Sequence, residues 1–224
     1  MMRVSVSGAA AILLFSVPAV CQTQEHAPVS LKSASKLAQD QASGESWTYI
    51  DPDFQKARFN GVCVLPTKIY SGPDAQFPGT SAADKQRFAD ILTTTLVGEL
   101  SQGIEVSQTR KPGCLSIQMT IVGVSNTKTG FATASRILPI GLATNAFKSA
   151  TGKKGSFSGS MLLATEMTGG KNNKLFVSAV RRKAPDALDI PSTLSMTDTV
   201  KAISRDVGKS LRERLVASGV LSDQ

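Results

Sequence analysis

The chain has almost no histidine. His26 is the only one in 224 residues, and it lies near the start, ahead of any segment patterned for a core. No Ser-His or Cys-His catalytic pair can therefore be assembled in the folded part. Aromatics are also scarce, with one Trp and two Tyr. They are not interleaved with Lys and Arg, which argues against a single-strand nucleic-acid face. With Cys21 in the leader region, two isolated cysteines, Cys63 and Cys114, and one histidine in the polar stretch before the domain make no zinc ligand set, so no metal or other cofactor is expected. No apolar run approaches the roughly 20 residues needed to span a bilayer. Internal repeats are absent.

What is present begins with a leader. Met1 to Gln24 reads as a short start with Arg3, an apolar run from about Ala9 to Val17, then Pro18-Ala19-Val20-Cys21. That is the layout of a secretory signal peptide over residues 1–21, and it predicts an exported protein on the periplasmic side of an envelope. Cys21 has two readings. It is the acylated first residue of a lipoprotein, which would hold the chain on a membrane surface. Alternatively it belongs to an ordinary cleavage site before Gln22. Arg3 is the only charged residue of the leader, so the formal net charge of +8 stays strongly basic without it. A basic balance suits an anionic lipid or acidic polymer, or simply solvates the surface; export argues against nucleic acid.

Residues 22–46 are rich in Gln, Ala, Ser and Lys with few large apolar side chains. They read as a flexible tether. A single domain is expected over 47–224. It opens with Trp47-Thr48-Tyr49-Ile50-Asp51-Pro52, where Trp47 and Tyr49 can anchor the segment on the core. Gly61 to Pro66 reads as a buried strand extending toward Tyr70, and Ser71 to Gly79 as a loop. Ser81 with Asp84 opens a helix whose apolar face carries Phe88, Ile91, Leu92, Leu96 and Leu100. Ile104 to Gln108 is a short strand. Leu115, Ile117, Met119 and Ile121 alternate with Ser116, Gln118 and Thr120, the pattern of a strand with one face on a core and one in water. Ser156 to Glu166 and Leu175 to Arg181 form an antiparallel pair around Thr168-Gly169-Gly170. Ser195 with Asp198 caps a last helix striped by Val200, Ile203, Val207, Leu211 and Leu215. The order predicts an α+β fold: a mixed or mostly antiparallel sheet of about five strands with two amphipathic helices packed on one face.

A long connection over 125–155 carries Lys148, Lys153 and Lys154 beside Phe131, Ile137, Leu138, Ile140 and Phe147. It reads either as a basic element touching an anionic surface or as a flap whose apolar side covers the sheet. Arg181-Arg182-Lys183 is a second basic run. It can contact an anion, or serve as a solvated edge that blocks strand addition. Cys63 and Cys114 can pair as a disulfide in an oxidising periplasm, or stand as buried thiols acting as small hydrophobes. Asp51 and Asp53 are close enough in sequence to consider as a catalytic pair, and Asp51-Pro52-Asp53 also reads as an ordinary turn.

The leader cysteine, Trp47-Thr48-Tyr49-Ile50-Asp51-Pro52, Val62-Cys63-Val64-Leu65-Pro66, Leu138-Pro139-Ile140-Gly141 and Thr168-Gly169 together resemble the bacterial envelope lipoprotein family known as domain of unknown function 3313. The resemblance runs from Trp47 to the end. It implies a Gram-negative envelope protein and carries over no catalytic residue. The expectation is a non-enzymatic binding or accessory module with an unknown envelope or cell-wall partner. The alternatives are an auxiliary subunit of an envelope transport or outer-membrane assembly system, and a hydrolase using Asp51 and Asp53.

Overall fold

The computed structural model describes residues 27–28, 30–40, 46–125, 159–185 and 195–221. The leader with Cys21 and His26, and nearly all of the 125–155 connection with Lys148, Lys153 and Lys154, lie outside the described residues.

Period-two patterning becomes one sheet of eight strands. In chain order they are β1 (Ala38–Gln39), β2 (Ser46–Ile50), β3 (Gly61–Val64), β4 (Lys68–Ile69), β5 (Val106–Ser107), β6 (Cys114–Ser125), β7 (Ser160–Gly169) and β8 (Lys174–Lys183). The spatial order is β1-β2-β8-β7-β6-β3-β5, with β4 alongside β6. β6, β7, β8, β2 and β1 pair antiparallel in succession. β3 pairs parallel with both β5 and β6, so the sheet is mixed, as expected. Five strands were expected and eight are present. The additions are β1, β2 and the separation of β4 from β3. Two-residue strands leave no periodicity to read. Pro66 splits β3 from β4 because it has no N–H to donate to the ladder; β6 continues past it, and Gln118 Nε2 donates to the Pro66 carbonyl at 2.7 Å.

Among the described residues two α-helices complete the order, α1 (Ala82–Leu100) and α2 (Met196–Ser218). Ser81 accepts from the Asp84 N–H at the start of α1. Ser195 and Asp198 form a reciprocal capping box at α2, and Gly219 ends that helix at φ 62°. Both helices lie on one face of the sheet. Phe88, Leu92, Leu96 and Leu100 of α1, with Val200, Ile203 and Leu215 of α2, close over Val62, Val64, Leu115, Ile117, Met119, Ile121, Met161 and Leu163. α1 and α2 run in the same direction, with Gly208 against Glu99 and Arg212 reaching Glu99 and Gln102. A Cβ on Gly208 would stand 2.7 Å from that of Glu99, so only glycine permits this approach.

The second face departs from expectation. β6 was read as half in water, yet Ser116, Thr120 and Val122 are all buried. A second apolar cluster of Trp47, Tyr70, Val122, Leu162, Ala164 and Val180 lies there, packed under Ala27, Leu31 and Leu37. Those three belong to the segment read as a tether. Residues 30–40 instead form a strap, with a 3₁₀ turn at Ala34–Lys36 and β1 paired to β2. The Ser178 hydroxyl donates to the Ser33 hydroxyl at 2.8 Å, and both residues are buried. The Ser30 N–H donates to the Tyr70 hydroxyl at 3.0 Å. Leu31 and Leu37 are too few to mark the segment by composition; the apolar face waiting for them is set by β2, β6, β7 and β8.

Candidate functional site

Charge concentrates first where β2 ends. Its last residues place Tyr49 and Asp51 beside the start of β8, where Lys174 stands. Lys174 Nζ lies 2.8 Å from Asp51 Oδ1 and 2.8 Å from Asp53 Oδ2. The Tyr49 hydroxyl donates to Asp51 Oδ2 at 3.1 Å, and the Asp53 N–H donates to Asp51 Oδ1 at 2.9 Å. The Lys174 ammonium, then the Asp53 N–H, hold the Asp51 carboxyl below the usual carboxylate range. Its two acid partners, Asp51 first, raise Lys174. Desolvation, then the bond to Asp51, raises Tyr49. Asp51 and Asp53 are thus brought together, but around a shared cation. A general acid needs a carboxyl that keeps its proton at working pH; Asp51 moves the opposite way. The chemistry of this cluster is that of a clamp joining the β2 end to β8. Sequence reading found the two acids and missed Lys174, which lies 121 residues away from Asp53.

The basic run at the end of β8 is divided by the pleat. Lys183 points to the helices and pairs with Asp206 of α2 at 3.2 Å. Arg182 points to the opposite face, donating to Gln76 Oε1 at 2.7 Å and to Ser160 Oγ at 3.4 Å. Arg181 Nε is buried without a hydrogen-bond partner. The three cations therefore form no single anion patch. Arg181 does not lie on an edge, because β2 and β7 flank it.

Cys63 and Cys114 are joined as a disulfide, with Cα atoms 5.9 Å apart. The parallel pairing of β3 with β6 sets Gly61 opposite Cys114 and Cys63 opposite Ser116, which brings the two thiols together.

A groove of about 620 Å³ lies between α1 and α2. Asp90, Thr94 and Gly98 line one wall and Lys201 and Arg205 the other. The helices touch at Gly208, against Glu99 and Leu96. Arg212 donates to the Glu99 carbonyl at 2.9 Å and stands 3.8 Å from its carboxylate. Gln86 donates to Asp90 at 2.9 Å. Lys201 and Arg205 are exposed and have no ion-pair partner among the described residues. The groove thus offers three cations, Arg87, Lys201 and Arg205, against the carboxylates of Asp90 and Glu99, with threonine hydroxyls between them; Arg87 pairs with Asp84 and Glu99 with Arg212. The sequence signal for it was weak: both cations sit on the polar side of α2, where solvation is the ordinary expectation. Among the described residues no group of three or more His, Cys, Asp or Glu could hold a metal ion, and no helix is long and apolar enough to cross a membrane.

Fold and site together define an α+β domain: a mixed sheet with two helices on one face and a strap on the other. Residues 29–211 match the family described as Protein of unknown function (DUF3313), and the chain belongs to that family. The matched range takes in residues 30–40, the strap. Among solved structures the chain is similar to a PelC dodecamer from Paraburkholderia phytofirmans, at 10% identity and a TM-score of 0.40, covering 75% of this chain and 96% of that one. It is also similar to XCC0632 from Xanthomonas campestris, of the DUF330 family, at 8% identity and a TM-score of 0.39, covering 76% and 91%. No curated protein matches.

Proposed function

We propose that this chain is an exported, non-enzymatic protein of the cell envelope that works by binding an acidic segment of another envelope component in the groove between α1 and α2. The observation that carries the export half is the Cys63–Cys114 disulfide, since such bonds form and persist in oxidising compartments. The signal-peptide pattern of residues 1–21 supports the same reading, with Cys21 as the acylated anchor. The binding half rests on Lys201 and Arg205, which line the groove and are exposed. The clamp supports binding over hydrolysis, because the Asp51 carboxyl is held ionised against Lys174 rather than poised to give up a proton.

Photo-crosslinking in intact cells tests the binding site. A photoreactive residue at Thr94 gives a discrete adduct, and Lys201→Glu with Arg205→Glu abolishes it. An adduct of unchanged yield in the charge-reversed chain refutes the groove as the site. Thiol trapping of the same cells tests export: Cys63 and Cys114 resist alkylation until reductant is added. Ready alkylation without reductant refutes it. The identity of the cross-linked partner separates a cell-wall role from a part in envelope transport or outer-membrane assembly.

A further inference from the structure

The strap determines how far the domain can stray from anything held at Cys21. Six peptide links separate Cys21 from Ala27, the first strap residue packed on the second face. At no more than about 3.6 Å per link they reach about 22 Å. Had the ordered domain begun at Trp47, the connection would have had about 94 Å of contour on the same measure. The strap removes that length, and it does so through several independent contacts. β1 pairs with β2. Ser33 is buried against Ser178 and Ser30 is bonded to Tyr70. Lys36 Nζ stands 5.1 Å from the Tyr49 ring centre. Leu31 and Leu37 close the apolar cluster.

Because the strap crosses the face opposite α1 and α2, the short connection emerges on that side. We infer that the strap holds the second face of the sheet against the membrane that carries Cys21, with the two helices and their groove directed away from it. Lys32 and Lys36 on the strap and Lys68 on β4 are exposed on this side, where anionic headgroups attract them. The opposite face presents the groove to a partner that is not in that membrane. This inference rests on the reading of Cys21 as acylated.

Full-length protein purified from membranes and placed in phosphatidylcholine vesicles containing phosphatidylglycerol provides the test. Donor dyes are attached at Lys68→Cys on the second face or at Glu213→Cys on α2, and acceptor dye is carried on lipid headgroups. Energy transfer is expected to be several-fold stronger from position 68 than from 213. A long Gly/Ser insertion between His26 and Ala27, which leaves the strap docked, is expected to erase the difference. Equal transfer from both positions, in protein whose N-terminal peptide carries acyl chains by mass spectrometry, overturns the orientation and leaves the anchor standing. An N-terminal peptide that begins at Gln22 without lipid overturns the anchor and the orientation with it.

Discussion

At the scale of single residues, the chain spends its charged side chains on joining segments. Lys174 is the clearest case, one ammonium holding Asp51 and Asp53. The lowered Asp51 carboxyl contributes stability above its unfolded value near 4 and loses it as pH falls through the lower folded value. The raised Lys174 contributes below its ordinary value near 10.4 and loses it on the alkaline side. Lys174→Met should therefore lower the melting temperature most near neutral pH, with the gap to the unmutated chain closing in acid. A gap independent of pH in thermal melts would contradict the clamp. The disulfide is the other residue-scale tie. It closes a separation of 51 residues, for which the chain-entropy argument gives about 4 kcal/mol at most. Reduction, or Cys63→Ser with Cys114→Ser, should lower the urea midpoint by an amount corresponding to about 2–4 kcal/mol. The acids and both cysteines were legible in sequence. The Cys63–Cys114 disulfide was one of two readings there, but Lys174 was not seen as the acids' partner, because contact across 121 residues depends on which strands become neighbours.

Among the elements, α1, α2 and the long strands were readable from their periods, β3 and β5 as short apolar runs, and β1, β2 and β4 were not read as strands of their own. α1 and α2 announce themselves by a serine cap followed by an acid, and β6 by strict alternation. Periodicity placed the apolar stripe of α2 correctly at Val200, Ile203 and Leu215. It was silent on Gly208, which carries no side chain to count and yet sets how closely the helices pack. Gly208→Val would drive two methyl groups into Glu99 and should cost about 1–3 kcal/mol through overpacking. Chemical denaturation measures this, and a silent substitution would show that the helices separate freely. β2 was read as an anchoring segment because its five residues sit alone between polar stretches; only its pairing with β8 makes it a strand. β1 and β4 exist because a longer neighbour offers them hydrogen-bond partners.

For the whole molecule, the decisive feature is that both faces of the sheet are covered. Helices cover one, and a strap drawn from a polar-looking stretch covers the other. Trp47 is the only tryptophan, 7% exposed beneath that strap, so its fluorescence reports on it directly. Deleting residues 27–40 should shift Trp47 emission to the red, increase binding of an apolar dye and lower the melting temperature, since Trp47, Tyr70 and Leu162 would lose their cover. Unchanged emission in the shortened chain would show that the strap does not protect this face. By itself the sequence determined the helices, the long strands, the capping and the family, because caps and periodicity are local and survive without knowledge of neighbours. The tertiary structure alone decided that residues 30–40 are part of the fold, that Lys174 neutralises the two acids, that the basic run splits across the sheet, and that a groove opens between the helices. Each of these depends on distant segments meeting, and burial is a property of the assembled surface rather than of the segment that covers it.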